Sequence, residues 1–216
     1  MTEPAHRGRF IAFEGGEGAG KSTQSRLLAA ELQRRGLEVV ITREPGGTEG
    51  AEAIRALVLD PNGPGWGSEA EALLFAAARA DHVARLIRPA LERGAWVVCD
   101  RYLDSSRAYQ GGGGGVDDAD LLALHRFGSG GLLPDLTLLM EVPDAELATR
   151  LARRDGGESD RIGGREEAFH RRVREAFRHI ADAEPSRFAR IDGSGTAQET
   201  HGAILAALAS LLGDPQ

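Results

Sequence analysis

Lysine is nearly missing from this sequence. Lysine and arginine together number 26 among 216 residues, and Lys21 is the only lysine. Any motif that needs a second lysine is excluded, including the N-K-x-D element with which GTPases read guanine. Cysteine is as scarce. Cys99 stands alone, so no internal disulfide can form. Its setting, Ala95-Trp96-Val97-Val98-Cys99, reads as a buried strand thiol in a reducing compartment. A positive excess is lacking too: the net charge is -7 and the pI about 5.4. Nucleic-acid binders carry a basic footprint, so no nucleic-acid partner is expected. No apolar run reaches the roughly 20 residues of a membrane-spanning helix, so no membrane partner is expected. No apolar signal core follows Met1–Arg7, which predicts a cytoplasmic enzyme. Neither H-R-D nor D-F-G occurs, which excludes a protein kinase. The six histidines show no catalytic or metal-binding spacing and read as surface or packing residues.

The position of the one lysine is informative. It lies in Glu14-Gly15-Gly16-Glu17-Gly18-Ala19-Gly20-Lys21-Ser22-Thr23, and Gly15 to Ser22 fits G-x-x-x-x-G-K-[ST]. Such a loop presents backbone N–H groups to phosphates, and the following helix adds the positive end of its dipole. Residues Gly15 to Thr23 are therefore expected to hold the phosphates of a nucleoside triphosphate, with Lys21 on the β/γ oxygens and the Ser22 hydroxyl on Mg²⁺. A second metal ligand is expected at Asp100, which ends the apolar run Trp96–Cys99 at the sheet's carboxyl edge. Asp60-Pro61-Asn62-Gly63 matches the loose D-x-x-G of GTPases but reads better as a turn. One oddity remains: the loop carries an acid, Glu17, and no arginine.

Short apolar runs at Phe10–Glu14, Val39–Thr42, Ala95–Asp100, Leu136–Val142 and Phe188–Ile191 read as strands covered on both faces. Helical patterns lie between them, at about 21–35, 49–59, 69–93, 117–127, 145–154, 165–184 and 197–212. Ser68 with Glu71, and Thr196 with Glu199, look like capping boxes. Gly36 and Gly94 sit where helix C-terminal glycines belong. This alternation predicts a single α/β domain over 1–216, a five-stranded parallel sheet with helices on both faces, and ligands beyond the strands' carboxyl ends. The segments Pro61–Gly67, Gly111–Gly115 and Asp155–Gly164 resist this scheme. The run of five glycines reads as flexible, neither helix nor strand. The last segment, with arginines around it, reads as a lid over about 150–165.

Several stretches together resemble the thymidylate kinase family. They are Thr42-Arg43-Glu44-Pro45-Gly46-Gly47-Thr48, Leu74-Phe75-Ala76-Ala77-Ala78-Arg79, Asp100-Arg101-Tyr102, Ser105-Ser106-Arg107-Ala108-Tyr109-Gln110-Gly111 and Pro134-Asp135-Leu136-Thr137. With the phosphate loop, the resemblance runs from about Phe10 to beyond Asp192. It implies a P-loop kinase fold and transfer of phosphate from ATP to dTMP, with Mg²⁺, in a homodimer.

The resemblance also implies roles for particular residues. Phe75 would stack on thymine, and Arg79 would meet a thymine carbonyl; their i, i+4 spacing puts both on one helix face. Read from the helix alone, Phe75 would be a core aromatic. Ser106 and Gln110 would read the base edge, and Tyr109 would crowd a 2′-hydroxyl. Arg55 and Arg101 would hold the acceptor phosphate, with Glu44 and Pro45 as a pocket wall. Glu17 would face the 3′-hydroxyl. Family members carry the catalytic arginine either in the phosphate loop or in the lid. Gly18 occupies the loop position here, which turns the search to Arg153 and Arg154, then Arg161. Adenine would sit near Ile191-Asp192-Gly193-Ser194. Two other readings stay open: a deoxynucleoside kinase using Glu14 or Glu17 as base, and a non-catalytic nucleotide-binding module.

Overall fold

A computed structural model describes residues 7–153 and 160–212. Five strands, β1 (Phe10–Glu14), β2 (Val39–Arg43), β3 (Trp96–Asp100), β4 (Leu136–Glu141) and β5 (Phe188–Asp192), form one parallel sheet in the order β2-β3-β1-β4-β5. In the register, Phe13 lies beside Asp100. The loop after β1 and the carboxylate ending β3 therefore emerge side by side at the sheet's carboxyl edge.

β1 is buried along its length, and its side chains alternate between two apolar clusters. Ile11 and Phe13 pack with Leu28 and Leu32 of α1 (Lys21–Arg34) and Ile204 of α9 (Ala197–Ala207). Phe10 and Ala12 pack with Val83, Ile87, Leu91 and Tyr102. Each fully buried Phe, Ile, Leu or Val among them contributes about 1.5–3 kcal/mol. The edge strands depart from the expectation of cover on both faces: Ile41 of β2 is 48% exposed.

The expected helix over 69–93 is three segments. α3 (Ser68–His82) runs into a π-helical turn, Val83–Ile87, and then α4 (Arg88–Glu92). Pro89 lacks the N–H that would bond Arg85, and a wider turn ahead of it absorbs the mismatch. Ser68 and Glu71 do not form a capping box. Gly67 is the N-cap, Ser68 is already helical, and Glu71 turns inward, fully buried. The Thr196–Glu199 box is present. Gly36 and Gly94 hold the positive φ expected after helices, 83° and 88°.

The glycine run is corrected as well. α5 (Leu103–Ser106) continues into a second π-helical segment, Arg107–Gly113. A Cβ on Gly112 would lie 2.3 Å from the Ala176 Cβ, and one on Gly113 would lie 2.5 Å from the Phe169 ring. These residues are glycine because α8 (Glu167–Ala183) presses against them. The remaining helices are α2 (Glu49–Leu59), α6 (Asp118–Ser129), α7 (Asp144–Arg153) and α10 (Ala209–Leu212).

Candidate active site

The phosphate loop closes tightly on the sheet. Gly15, at φ 131°, has no room for a side chain, since a Cβ would meet the Met140 carbonyl at 2.4 Å. Gly20, at φ 89°, caps α1 in the left-handed region. The first turn of α1 holds no acid to compete with an anion for the exposed N–H groups. Lys21 Nζ donates to Gly16 O at 2.7 Å and Gly15 O at 3.1 Å. Burial, then the nearby Arg101 charge, pushes Lys21 down to about 7.

Ser22 Oγ donates to Asp100 Oδ2 at 2.5 Å. The other oxygen, Asp100 Oδ1, is buried with no hydrogen-bond partner. A buried orphan oxygen beside a hydroxyl suits a hard cation such as Mg²⁺. Among the described residues no group of three His, Cys, Asp or Glu could hold a metal. Any ion here would need phosphate or water oxygens to complete its shell.

Arg101 follows Asp100 with φ 70°, the left-handed region that few side chains adopt. Its Nη1 donates to Gly15 O at 3.1 Å and Ser105 Oγ at 3.2 Å, and its guanidinium lies 5.0 Å from the Tyr109 ring centre. Glu14 holds this turn from beneath. Its Oε1 accepts from Tyr102 N at 2.8 Å and Ser105 N at 3.1 Å, and its Oε2 from Ser105 Oγ at 2.6 Å. Burial, then the Asp104 charge, raises Glu14 to about 7. Buried beneath the turn and engaged through both oxygens, Glu14 is badly placed to act as a base on an acceptor hydroxyl.

A cavity of about 860 Å³ opens above these groups. Glu17, Gly18, Lys21 and Ser22 line it together with Glu44, Pro45, Arg55, Phe75, Arg79, Asp100, Arg101, Ser106, Tyr109 and Gln110. The Glu44–Pro45 peptide is cis. Arg79 donates to Glu44 Oε2 at 2.7 Å, Tyr102 O at 3.1 Å and Ser106 Oγ at 3.0 Å. Behind this pair, His82 Nδ1 is 3.0 Å from Glu44 Oε1, and its Nε2 is 2.7 Å from Thr42 Oγ1. Arg55 Nη1 donates to Pro45 O at 2.7 Å. Phe75 lines the cavity and also packs with Tyr109 and Ile162 in the core. The Tyr109 hydroxyl is buried without a partner. Glu17 lies under Gly163, whose Cβ would come 2.7 Å from its carboxylate.

The expected lid arginines are separated. Arg150 donates to Gly193 O at 2.7 Å and Glu146 Oε1 at 2.6 Å. Arg161 donates to Gly63 O at 2.8 Å, so it is engaged with the loop between α2 and α3. Arg153 ends α7, and Arg154 lies outside the described residues. Sequence reasoning missed Glu71 and His82, and offered Glu14 only as a base. Only their buried contacts, made far along the chain, reveal them.

A parallel sheet, a lysine-bearing phosphate loop, an Asp at the end of the adjacent strand and a cavity that reaches from that loop to Arg79 and Gln110 define a P-loop nucleotide kinase. Comparison with known proteins narrows the class. The family model "Thymidylate kinase" matches residues 13–204. A curated thymidylate kinase of Rhizorhabdus wittichii is 58% identical over 205 residues, covering 95% of this chain and 99% of its own. One from a Bradyrhizobium species is 53% identical, covering 87% and 84%. The crystal structure of thymidylate kinase from Ehrlichia chaffeensis superposes with a TM-score of 0.77 at 34% identity, covering 94% of this chain and all of its own. The chain belongs to the thymidylate kinase family. It is a kinase that forms dTDP from dTMP with ATP, a step in dTTP synthesis.

Proposed function

We propose that ATP and dTMP meet end to end in this one cavity, and that the chain's cations carry the transfer. The observation behind this reading is that a single cavity is lined both by the phosphate loop and by Glu44, Phe75, Arg79, Ser106, Tyr109 and Gln110. The acceptor is a phosphate monoester, whose second pKa near 6 makes it mostly dianionic at pH 7. It needs no general base. It needs two anions held in line with their charges offset. Lys21 offsets charge on the donor, with backbone N–H groups of Gly15–Thr23. Arg101 and Arg55 hold the acceptor phosphate. Ser22 and Asp100 would hold Mg²⁺, which when bound offsets charge on the β/γ oxygens. Phe75 stacks on thymine, Arg79, Ser106 and Gln110 meet its edge, and Glu44 and Pro45 form the wall. Tyr109 excludes a 2′-hydroxyl, and Glu17 accepts from the 3′-hydroxyl.

The chain is of the lid-arginine type. Gly18 brings no charge to the phosphate loop, so Arg153 or Arg154 supplies it, with Arg161 next if it leaves Gly63. Adenine sits near Gly193, where Arg150 reaches. The protein acts as a single domain in the cytoplasm; among the described residues no helix is long and apolar enough to cross a membrane. It pairs as a homodimer. Apolar Leu73 on α3 and Leu122 and Phe127 on α6 are exposed, Phe127 to 93%, and the two helices pack together. The deciding experiment is a coupled assay with ATP, Mg²⁺ and a panel of nucleoside monophosphates plus thymidine. Turnover of dTMP with thymidine inert is expected; turnover of thymidine but not dTMP would overturn the reading.

A further inference from the structure

Glu71 is fully buried in α3, yet it is no part of the transfer machinery and does not line the cavity. Its two oxygens are engaged on two sides. Oε1 receives Arg165 Nη2, from the segment leading into α8, and Oε2 receives Gln110 Nε2 at 3.3 Å. Arg165 is backed in turn by the Phe169 ring, 4.6 Å below its guanidinium. The glycines after Gln110 are pressed against α8, so the backbone carrying this side chain is fixed too.

An amide has a donating and an accepting end, and its neighbours decide which faces where. A carboxylate that receives a guanidinium offers only acceptors. Gln110 must then turn its NH₂ toward Glu71. The reverse rotamer would set carbonyl oxygen against carboxylate oxygen between two buried side chains. The end left to the cavity is Oε1, an acceptor.

We propose that Glu71 sets which way the Gln110 amide faces and thereby selects a base with an N–H at the edge Gln110 meets. The proposal rests on the reading that Gln110 meets the base. Thymine and uracil carry N3–H between two carbonyls and match an acceptor. Cytosine carries an unprotonated N3 at that place and opposes one acceptor with another. Glu71 acts through Gln110 and is a positioning residue.

The test compares kcat/KM for dTMP and dCMP. Glu71→Gln keeps the shape but offers Gln110 both a donor and an acceptor, so the amide can reverse. The expected result is at least a tenfold fall in the dTMP-to-dCMP ratio. It should come through a raised KM for dTMP, with the KM for ATP within twofold of the parent. Should Glu71→Gln not fold, Glu71→Met reads the same effect, because it removes the acceptor that faces Gln110 Nε2 and leaves the amide free to turn. A ratio within twofold of the parent in the folded variant overturns the proposal. Gln110→Leu separates the two ideas. If it too leaves the ratio unchanged, Gln110 does not meet the base. If it alone lowers the ratio, only the role of Glu71 is lost.

Discussion

Lys21 and Arg101 donate to the same atom, the Gly15 carbonyl oxygen, each at 3.1 Å. Two cations, one at the start of α1 and one just after β3, are thus pinned to one carbonyl of the phosphate loop. Their mutual repulsion is part of what lowers Lys21. Groups that share a partner are energetically coupled. In a double-mutant cycle of Lys21→Met and Arg101→Met, the combined loss of kcat/KM should fall short of the product of the single losses. A coupling of about 0.5–3 kcal/mol is expected. Additive losses would show that the two cations act independently.

Glu14 makes stability depend on pH in a stated direction. Its carboxyl titrates at about 7 when folded, against an ordinary glutamate value of 4.5. Between these values the folded state holds the extra proton, so stability falls as pH rises from about 4.5 to 7 and is level above. Glu14→Gln removes this slope. Melting curves between pH 4.5 and 8 should show the parent losing stability relative to Glu14→Gln across that window. A constant difference at all pH values would show that Glu14 does not titrate there.

The close approach of α8 makes the glycine run intolerant of side chains. Gly112→Ala places its Cβ against Ala176 and should cost about 1–3 kcal/mol by overpacking. Gly115 has φ 84° and nothing within 4 Å of a Cβ. Gly115→Ala should cost only the backbone term, about 1–2 kcal/mol. Urea denaturation of the two variants measures both, and a cost-free Gly112→Ala would contradict the packing described.

The arginine-free phosphate loop leads to a kinetic expectation. Replacing Arg153 and Arg154 together by alanine should lower kcat more than it raises the KM for dTMP. Steady-state kinetics with both substrates varied decides this. An unchanged kcat would pass the role to Arg161.

Phe127 offers a direct test of pairing. It is 93% exposed, so Phe127→Asp removes no intramolecular packing. Sedimentation should show the parent as a dimer and the variant shifted toward monomer, with melting of the isolated chain little changed. A parent that sediments as a monomer would refute the homodimer.

The strands were legible because central parallel strands are continuous apolar runs, and Phe10–Glu14 is where the sequence puts it. The phosphate loop was legible because its glycines, lysine and serine are contiguous. The acceptor residues came from resemblance; periodicity alone would leave Phe75 in the core. What stayed hidden depends on distant partners. Glu71 looks like a local capping residue until Arg165, 94 positions later, is brought against it. Gly112 looks loose until Ala176 arrives beside it. The π-helical turns were hidden as well, since one extra residue per turn barely disturbs a helical pattern.

The scarcity of lysine has a practical consequence. The only side-chain amine in the sequence is the one that would hold ATP, and it is lowered to about 7. At neutral pH a large share of it is unprotonated and nucleophilic, while ordinary surface ammonium groups stay inert. An amine-directed acylating reagent therefore has a single side-chain target. Acylation of Lys21, separated from that of the terminal amine by peptide mapping, then reports how much of the phosphate loop is vacant.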